Sequence, residues 1–249
     1  MKAVVLAGTA EESDLTRETG VKNKSFISLA GKAVLAYVLA ILVQVEEISD
    51  IYVVGPEEDL KTLQGEYNFH IVPEEGSMTK NVYAPCKRGY LDGPFLLVSG
   101  DIPLITVEAL EDFLNQCRPF EFDLYYSIIP KKVNEERYPS SRRTYLRLKE
   151  GTFTGGNIFV GRSEVLEDAL PRVEEFIALR KYPVKIISKL GISFLVRFAT
   201  RQLTLEHLIS KFNKLFGIKG KAIITSFPEI GTDLDKPSDL VFFREQLGG

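Results

Sequence analysis

The apolar positions of this chain alternate between two periods. Lys2–Leu6 is a short continuous run, the pattern of a parallel strand covered on both faces. After a long polar loop, Val34, Leu35, Val38, Leu39 and Leu42 recur at helical spacing. Ile51–Val54 is the next strand run, closed by the breaker pair Gly55-Pro56. The pattern then predicts a short helix over about Glu58–Leu63, a short strand at His70–Val72, a helix over Thr79–Leu91 and a buried strand Pro94–Val98. Thr106 reads as the N-cap of a helix Val107–Gln116, whose apolar face is Val107, Leu110, Phe113 and Leu114.

The second half has a different rhythm. Asp123–Ile129 reads as a strand, and Tyr145–Leu148 with Gly156–Val160 as a strand pair. Ser163 is expected to cap a helix that Pro171 interrupts, with helical patterning on to about Leu215. Leu205, Leu208, Ile209, Phe212 and Leu215 form one stripe there, and Lys221–Thr225 is a final strand. Strands alternating with helices predict an α/β fold, a three-layer, doubly wound, mostly parallel sheet with a helical elaboration at about 162–218. No repeat or linker divides the chain, so one domain over 1–249 is expected. Ligands of such sheets sit beyond the carboxyl ends of the strands, which singles out the loops Ala7–Lys24 and Ser99–Ile105.

Composition narrows the classes. The 249 residues are 45% hydrophobic and 26% charged, ordinary for a globular protein. A formal net charge of -3 argues against a general nucleic-acid binder. Cys86 and Cys117 make neither a disulfide framework nor a clustered zinc site, which suits a reducing cytoplasm. The longest apolar stretch, Ala33–Val45, is short of a bilayer span, and the opening run is too short for a signal peptide. No membrane and no nucleic acid are expected among the partners.

Four segments carry candidate chemistry. Leu6-Ala7-Gly8-Thr9 turns at the end of the first strand, where Gly8 permits close approach of a ligand and free amides suit phosphate oxygens. Arg17, Lys22 and Lys24 add positive charge to the same loop; taken alone, a solvated connection explains them as well. Ser99-Gly100-Asp101-Ile102-Pro103-Leu104 projects a carboxylate from a strand end, the hard oxygen ligand that Mg²⁺ takes alongside phosphate and water. Thr106 already fills the capping role that is the plainer explanation of such an aspartate. In Gly231-Thr232-Asp233-Leu234-Asp235-Lys236-Pro237, an extended chain points Asp233 and Asp235 the same way, towards a shared cation, unless Asp235 or Ser238 caps the last helix. Gly155-Gly156-Asn157 opens a strand with room for a close neighbour and an amide that can donate and accept. Arg142, Arg143 and Arg147 suit an anionic acceptor or a solvated hairpin face equally. His70 and His207 are isolated and read as structural or surface residues.

The order Leu6-Ala7-Gly8, Lys24 with Gly31-Lys32 behind it, Ser99-Gly100-Asp101-Ile102-Pro103, Gly155-Gly156-Asn157 and Asp233-Leu234-Asp235-Lys236-Pro237 resembles the MobA-like NTP transferases of the nucleotidyltransferase superfamily. The resemblance implies a GT-A fold and Mg²⁺-dependent transfer of a nucleotidyl group from an NTP, GTP or CTP, to a small phosphorylated acceptor, with loss of pyrophosphate. It implies that Leu6, Ala7 and Gly8 line the base and ribose, that Gly76 and Asn81 contact the base, and that Lys24 contacts the phosphates. Asp101 would hold the metal with Asp235 or Asp233, Arg17 would serve as the loop arginine, and Gly155, Gly156 and Asn157 would face the acceptor. A homodimer is left open. Thr9 stands where the family usually has a second glycine, and Glu11, Glu12 and Asp14 oppose a triphosphate unless they point away. A nucleotide-sugar glycosyltransferase would present Asp-x-Asp where this chain has Asp101-Ile102-Pro103; a non-catalytic nucleotide-binding protein is the other alternative. No Gly-x-Gly-x-x-Gly follows the first strand, which argues against a nicotinamide enzyme.

Overall fold

The computed structural model describes residues 1–8, 13–178 and 189–248. Ten strands are present among them: β1 (Lys2–Leu6), β2 (Ser28–Leu29), β3 (Lys32–Ala33), β4 (Asp50–Gly55), β5 (His70–Pro73), β6 (Pro94–Ser99), β7 (Leu124–Pro130), β8 (Leu146–Arg147), β9 (Thr152–Arg162) and β10 (Gly220–Ile224). The main sheet runs β10-β7-β9-β6-β1-β4-β5, with β8 beside β9; β2 and β3 form a separate hairpin. Within the main path all neighbours are parallel except β9, which is antiparallel to both β6 and β7.

This topology fixes where a ligand can sit. From β1 the chain builds outward through β4 to β5, then returns and places β6 on the other side of β1. Leu6 is thereby opposite Val54 on one side and Ser99 on the other. The carboxyl ends of β1 and β6 lie side by side, and the edge between them, where the strand order reverses, is a topological switch point.

The apolar runs read from sequence are buried on both faces. Ala3, Val5 and Val98 meet Leu35, Leu39 and Leu42 of the helix Val34–Leu42 and Leu110, Phe113 and Leu114 of the helix Val107–Cys117. On the opposite face Val4, Val54, Val72 and Phe95 pack against Ala84 of the helix Met78–Lys87. A third cluster joins Leu15, Ile27 and Leu29 to Leu234, Leu240 and Phe243, and so ties the segment after β1 to the end of the chain.

Three expectations need correction. The segment between Ala7 and Lys24 is not all loop: Asp14–Thr19 is helical, opened by a capping box in which the Ser13 side chain accepts from the Thr16 amide. Thr9–Glu12 lie outside the described residues. Ser163 starts a 3-10 turn, Ser163–Val165, and its hydroxyl turns to Glu164 at 3.4 Å instead of capping a helix. Pro171 lies inside the helix Leu166–Ala178 without ending it. One backbone hydrogen bond is forgone there, and packing compensates: Phe176 meets Phe216 edge-on and Arg172 donates to the Phe216 carbonyl at 3.1 Å. The elaboration continues as the helices Ile192–Ala199 and Leu205–Phe216; its predicted helical stretch at 179–188 lies outside the described residues.

Candidate active site

The site begins with the close approach of β1 and β6. A Cβ on Gly100 would lie 2.9 Å from the Leu6 carbonyl oxygen and 3.2 Å from the Ala7 Cα. Glycine there lets the Gly100 amide donate to Leu6 at 2.9 Å, so the strand end delivers Asp101 directly over the turn after β1. Gly8 adopts φ +74, a conformation that favours glycine. Asn23, 3% exposed, fastens this turn: its Nδ2 donates to Ala7 O at 2.8 Å and to Gly8 O at 3.3 Å. Its Oδ1 accepts the Ser25 amide at 2.9 Å, capping the 3-10 turn Lys24–Phe26 and aiming Lys24 at the crevice.

Lys24 is the junction of the site. Its Nζ lies 2.7 Å from Asp101 Oδ2 and 2.9 Å from Asp235 Oδ1. Burial alone would depress the ammonium, but Asp101 and then Asp235 more than offset it and hold Lys24 above its ordinary value. Asp101 is 5% exposed. Burial raises its carboxyl above the usual range, against the opposing pull of Lys24, and the nearby Asp233 adds to the rise. Ser99 Oγ donates to Asp101 Oδ1 at 2.5 Å. The more open Asp235 is held below its ordinary value, first by its hydrogen bond to Lys24.

Asp235 is therefore not a helix cap, and neither is Ser238. Lys236 occupies the N-cap position of the helix Pro237–Leu247. The Asp239 carboxylate closes that end by accepting from the amides of Lys236 at 2.8 Å and Asp235 at 3.0 Å. The Leu234 amide donates to the Asp101 carbonyl at 2.9 Å, which brings the acidic segment beside the β6 loop. The expected pair then divides: Asp235 goes to Lys24, whereas Asp233 forms an ion pair with Arg143 at 2.5 Å.

A cavity of about 280 Å³ opens over this corner, lined by Leu6, Gly8, Lys24, Asn81, Asp101 and Asp235 among others. Ser13, Thr16, Met78 and Ser99 also reach it, and none of these four was singled out from sequence as a contact. Asn81, 3% exposed, is oriented by the Glu75 amide, which donates to its Oδ1 at 2.6 Å. Ala7 is fully buried and outside the lining, and Gly76, at φ +81, is exposed at the turn before the helix Met78–Lys87. Arg17 is not among the lining residues; it is exposed and paired with Asp14 at 2.6 Å. That pairing also neutralises one of the acidic residues that would oppose a triphosphate.

Gly155, Gly156 and Asn157 lie on β9, outside the cavity lining. A Cβ on Gly155 would fall 1.7 Å from the Tyr126 hydroxyl, and one on Gly156 would fall 2.2 Å from Ser127 Oγ. The room these glycines leave is thus taken by the protein's own side chains. Asn157 Nδ2 is buried without a partner.

A glycine turn over a parallel strand end, a lysine, and two carboxylates that share its ammonium make up the candidate site at the carboxyl edge of this α/β sheet. The sequence matches the MobA-like NTP transferase domain over residues 3–167, and the chain belongs to that family. It is 31% identical to a hypothetical transferase from Thermus thermophilus, over 96% of this chain and 100% of that one, with a TM-score of 0.84. It is 26% identical over 200 residues to 2-C-methyl-D-erythritol 4-phosphate cytidylyltransferase of Dehalococcoides mccartyi, covering 70% of this chain and 82% of that protein. A CMP:2-keto-3-deoxy-manno-octonic acid synthetase complexed with CTP shares the fold, with a TM-score of 0.64 at 15% identity over 99% of this chain and 98% of that one.

Proposed function

We propose that this enzyme transfers a nucleotidyl group, CMP by preference, from a nucleoside triphosphate to a small phosphorylated acceptor and releases pyrophosphate. The observation that carries the reading is the double ion pair of Lys24 with Asp101 and Asp235 at the switch point between β1 and β6. CTP is preferred to GTP on the strength of the cytidylyltransferase relative and the CTP-bound structural neighbour.

The residues present fit a divalent cation. One ammonium already reaches both carboxylates, so the two oxygen donors converge within reach of a single positive centre. Among the described residues no group of three His, Cys, Asp or Glu side chains forms a metal cage. Two carboxylates with phosphate oxygens and water are what Mg²⁺ takes in such sites. Asp101 and Asp235 would hold it, and bound there it would neutralise charge on the reacting phosphates.

The chain's own groups supply positioning and charge. The turn at Gly8, fastened by Asn23, presents backbone to the nucleotide, and Asn81 offers a buried amide at the base end. Lys24, freed from one of its carboxylates, is placed to bind the leaving pyrophosphate. An acceptor phosphate oxygen forms the new bond to the α-phosphorus as the bond to the β-phosphate breaks, and the electron pair leaves with pyrophosphate. Preorganised charge is nearly the whole of such catalysis. Cys86 and Cys117 are free thiols, and no described helix is long and apolar enough to cross a membrane; both fit work in the cytoplasm.

The test is pyrophosphate release from CTP with Mg²⁺ across a panel of phosphomonoesters. Asp101→Ala should lower kcat/KM by about 10³-fold or more. Activity retained within a few-fold in that variant would remove Asp101 from the reaction.

A further inference from the structure

Away from the ionic corner, helix Leu205–Phe216 does not close fully on the sheet. An opening of about 380 Å³ lies between it and β7, β9 and β10, walled by Tyr126, Ile128, Phe159, Leu208, Ile209 and Phe212. The other polar residues at its edge are engaged elsewhere. Asn213 Oδ1 accepts the Gly220 amide at 2.8 Å, and the Lys221 ammonium lies over the rings of Phe122 and Tyr125 at 5.7 and 6.0 Å. A second apolar cavity of about 660 Å³ shares Leu208 and Phe212 and runs beneath the helix Ile192–Ala199. Protein interiors leave few voids larger than water, and a concave apolar space of this size suits an apolar ligand.

At one end of the opening Tyr126 supplies a polar group. Tyr126 stacks on Phe159 with centroids 5.1 Å apart, and its hydroxyl reaches over Gly155. The Arg143 guanidinium is near enough to pull the phenol's pKa down against the burial that raises it. Between Gly155 and Phe159, where the pairing of β9 with β7 is irregular, stands Asn157 with its buried, unpartnered Nδ2. The pairing of Val98 with Ile158 places Asn157 next to Ser99, whose hydroxyl holds Asp101. Asn157 and Tyr126 thus lie on strand positions between the Asp101 corner and the apolar opening. Arg143, 15% exposed, uses one edge for Asp233 and keeps further donors for a second anion.

We propose that the acceptor is an amphiphile, an alkyl or prenyl phosphomonoester. Arg143, Tyr126 and Asn157 hold its phosphate, and its apolar tail lies in the opening under helix Leu205–Phe216. The assignment rests on the nucleotidyl-transfer reading above, and it names the acceptor class that reading leaves general.

Calorimetric titration of the full chain with decyl phosphate, kept below its micelle concentration, and with ethyl phosphate tests it. Each methylene removed from water strengthens binding about fourfold, so burial of only about two of the extra methylenes already makes decyl phosphate bind about tenfold more tightly. Leu208→Trp, which fills the opening, should abolish that difference and leave ethyl phosphate unchanged. Arg143→Gln should weaken both ligands by about tenfold. Equal affinity for the two ligands in the wild-type chain, which needs no variant to fold, would overturn the proposal. So would a folded Leu208→Trp chain that binds decyl phosphate as before. A CTP thermal shift on the same protein separates the two levels. Its absence would remove the nucleotidyl-transfer reading, while the chain-length comparison still decides the cavity.

Discussion

The corner where β1 meets β6 and the flank formed by β7, β9 and β10 are held together by different physics. At the corner, backbone hydrogen bonds and ion pairs over-determine every functional atom: Asn23 fixes the turn, Gly100 brings the strands together, and Lys24 is shared between two carboxylates. On the flank, shape does the work. Glycines accommodate Tyr126 and Ser127, and a stripe of leucines and phenylalanines covers the sheet without closing on it. A rigid charged corner suits chemistry common to a family, whereas an apolar flank can be resized by side-chain volume alone. Under the proposed function, reaction type belongs to the first region and acceptor choice to the second.

That division can be broken by experiment. Asp235→Asn should cut turnover by about 10²-fold while sparing the fold, because its carboxylate is partly exposed and its amide contact to Asp239 is retained. Turnover within a few-fold of wild type would show that the corner works without its second carboxylate. Gly156→Ala should act in the opposite sense. Its Cβ meets Ser127 Oγ, which is fixed by donating to the Ile158 carbonyl at 2.8 Å, and the Ile230 methyl at 2.8 Å. Overpacking of this kind costs about 1–3 kcal/mol, or several degrees in Tm for a chain this long. Calorimetry should find that loss with CTP affinity unchanged; an unchanged Tm would mean that the flank is looser than its packing implies.

The smallest effect concerns pH. Burial holds the Asp101 carboxyl above its ordinary value. The folded state therefore binds a proton more readily than the unfolded chain, and stability declines as pH rises through the folded value. Asp101→Asn removes this decline. The Tm of the variant relative to wild type should rise as pH is raised from the usual carboxylate range upwards, even as turnover disappears. A difference that shrinks over that range would refute the assignment of Asp101 as a carboxylate ionised at the expense of stability.

Much of the corner was legible in the sequence because its signals are local. A buried strand followed by Gly100-Asp101 and Pro103 identifies the carboxylate, and the order of motifs along the chain places Lys24 and Asp235. Asn23 escaped notice, since one asparagine before a lysine carries no periodic signal and its role depends on a carbonyl sixteen residues away. The surroundings of Arg17 are hidden for a related reason: in a segment that reads as a polar loop, the Ser13 cap starts a helix that pairs the guanidinium with Asp14. The flank was harder to read. Gly155 and Gly156 signalled a close neighbour, yet only strand pairing identifies it as Tyr126 and Ser127 rather than a ligand. Pro171 was expected to interrupt a helix that tertiary contacts to Phe216 carry through.

The central claim is that Asp101 and Asp235 hold a divalent cation against a nucleoside triphosphate. A thermal-shift titration of the wild-type chain with CTP, run with Mg²⁺ and again with EDTA, addresses it most directly. Stabilisation by several degrees that requires both CTP and Mg²⁺, and that is lost in Asp101→Asn, is the predicted result. An equal shift in EDTA, or one that survives in Asp101→Asn, would contradict it.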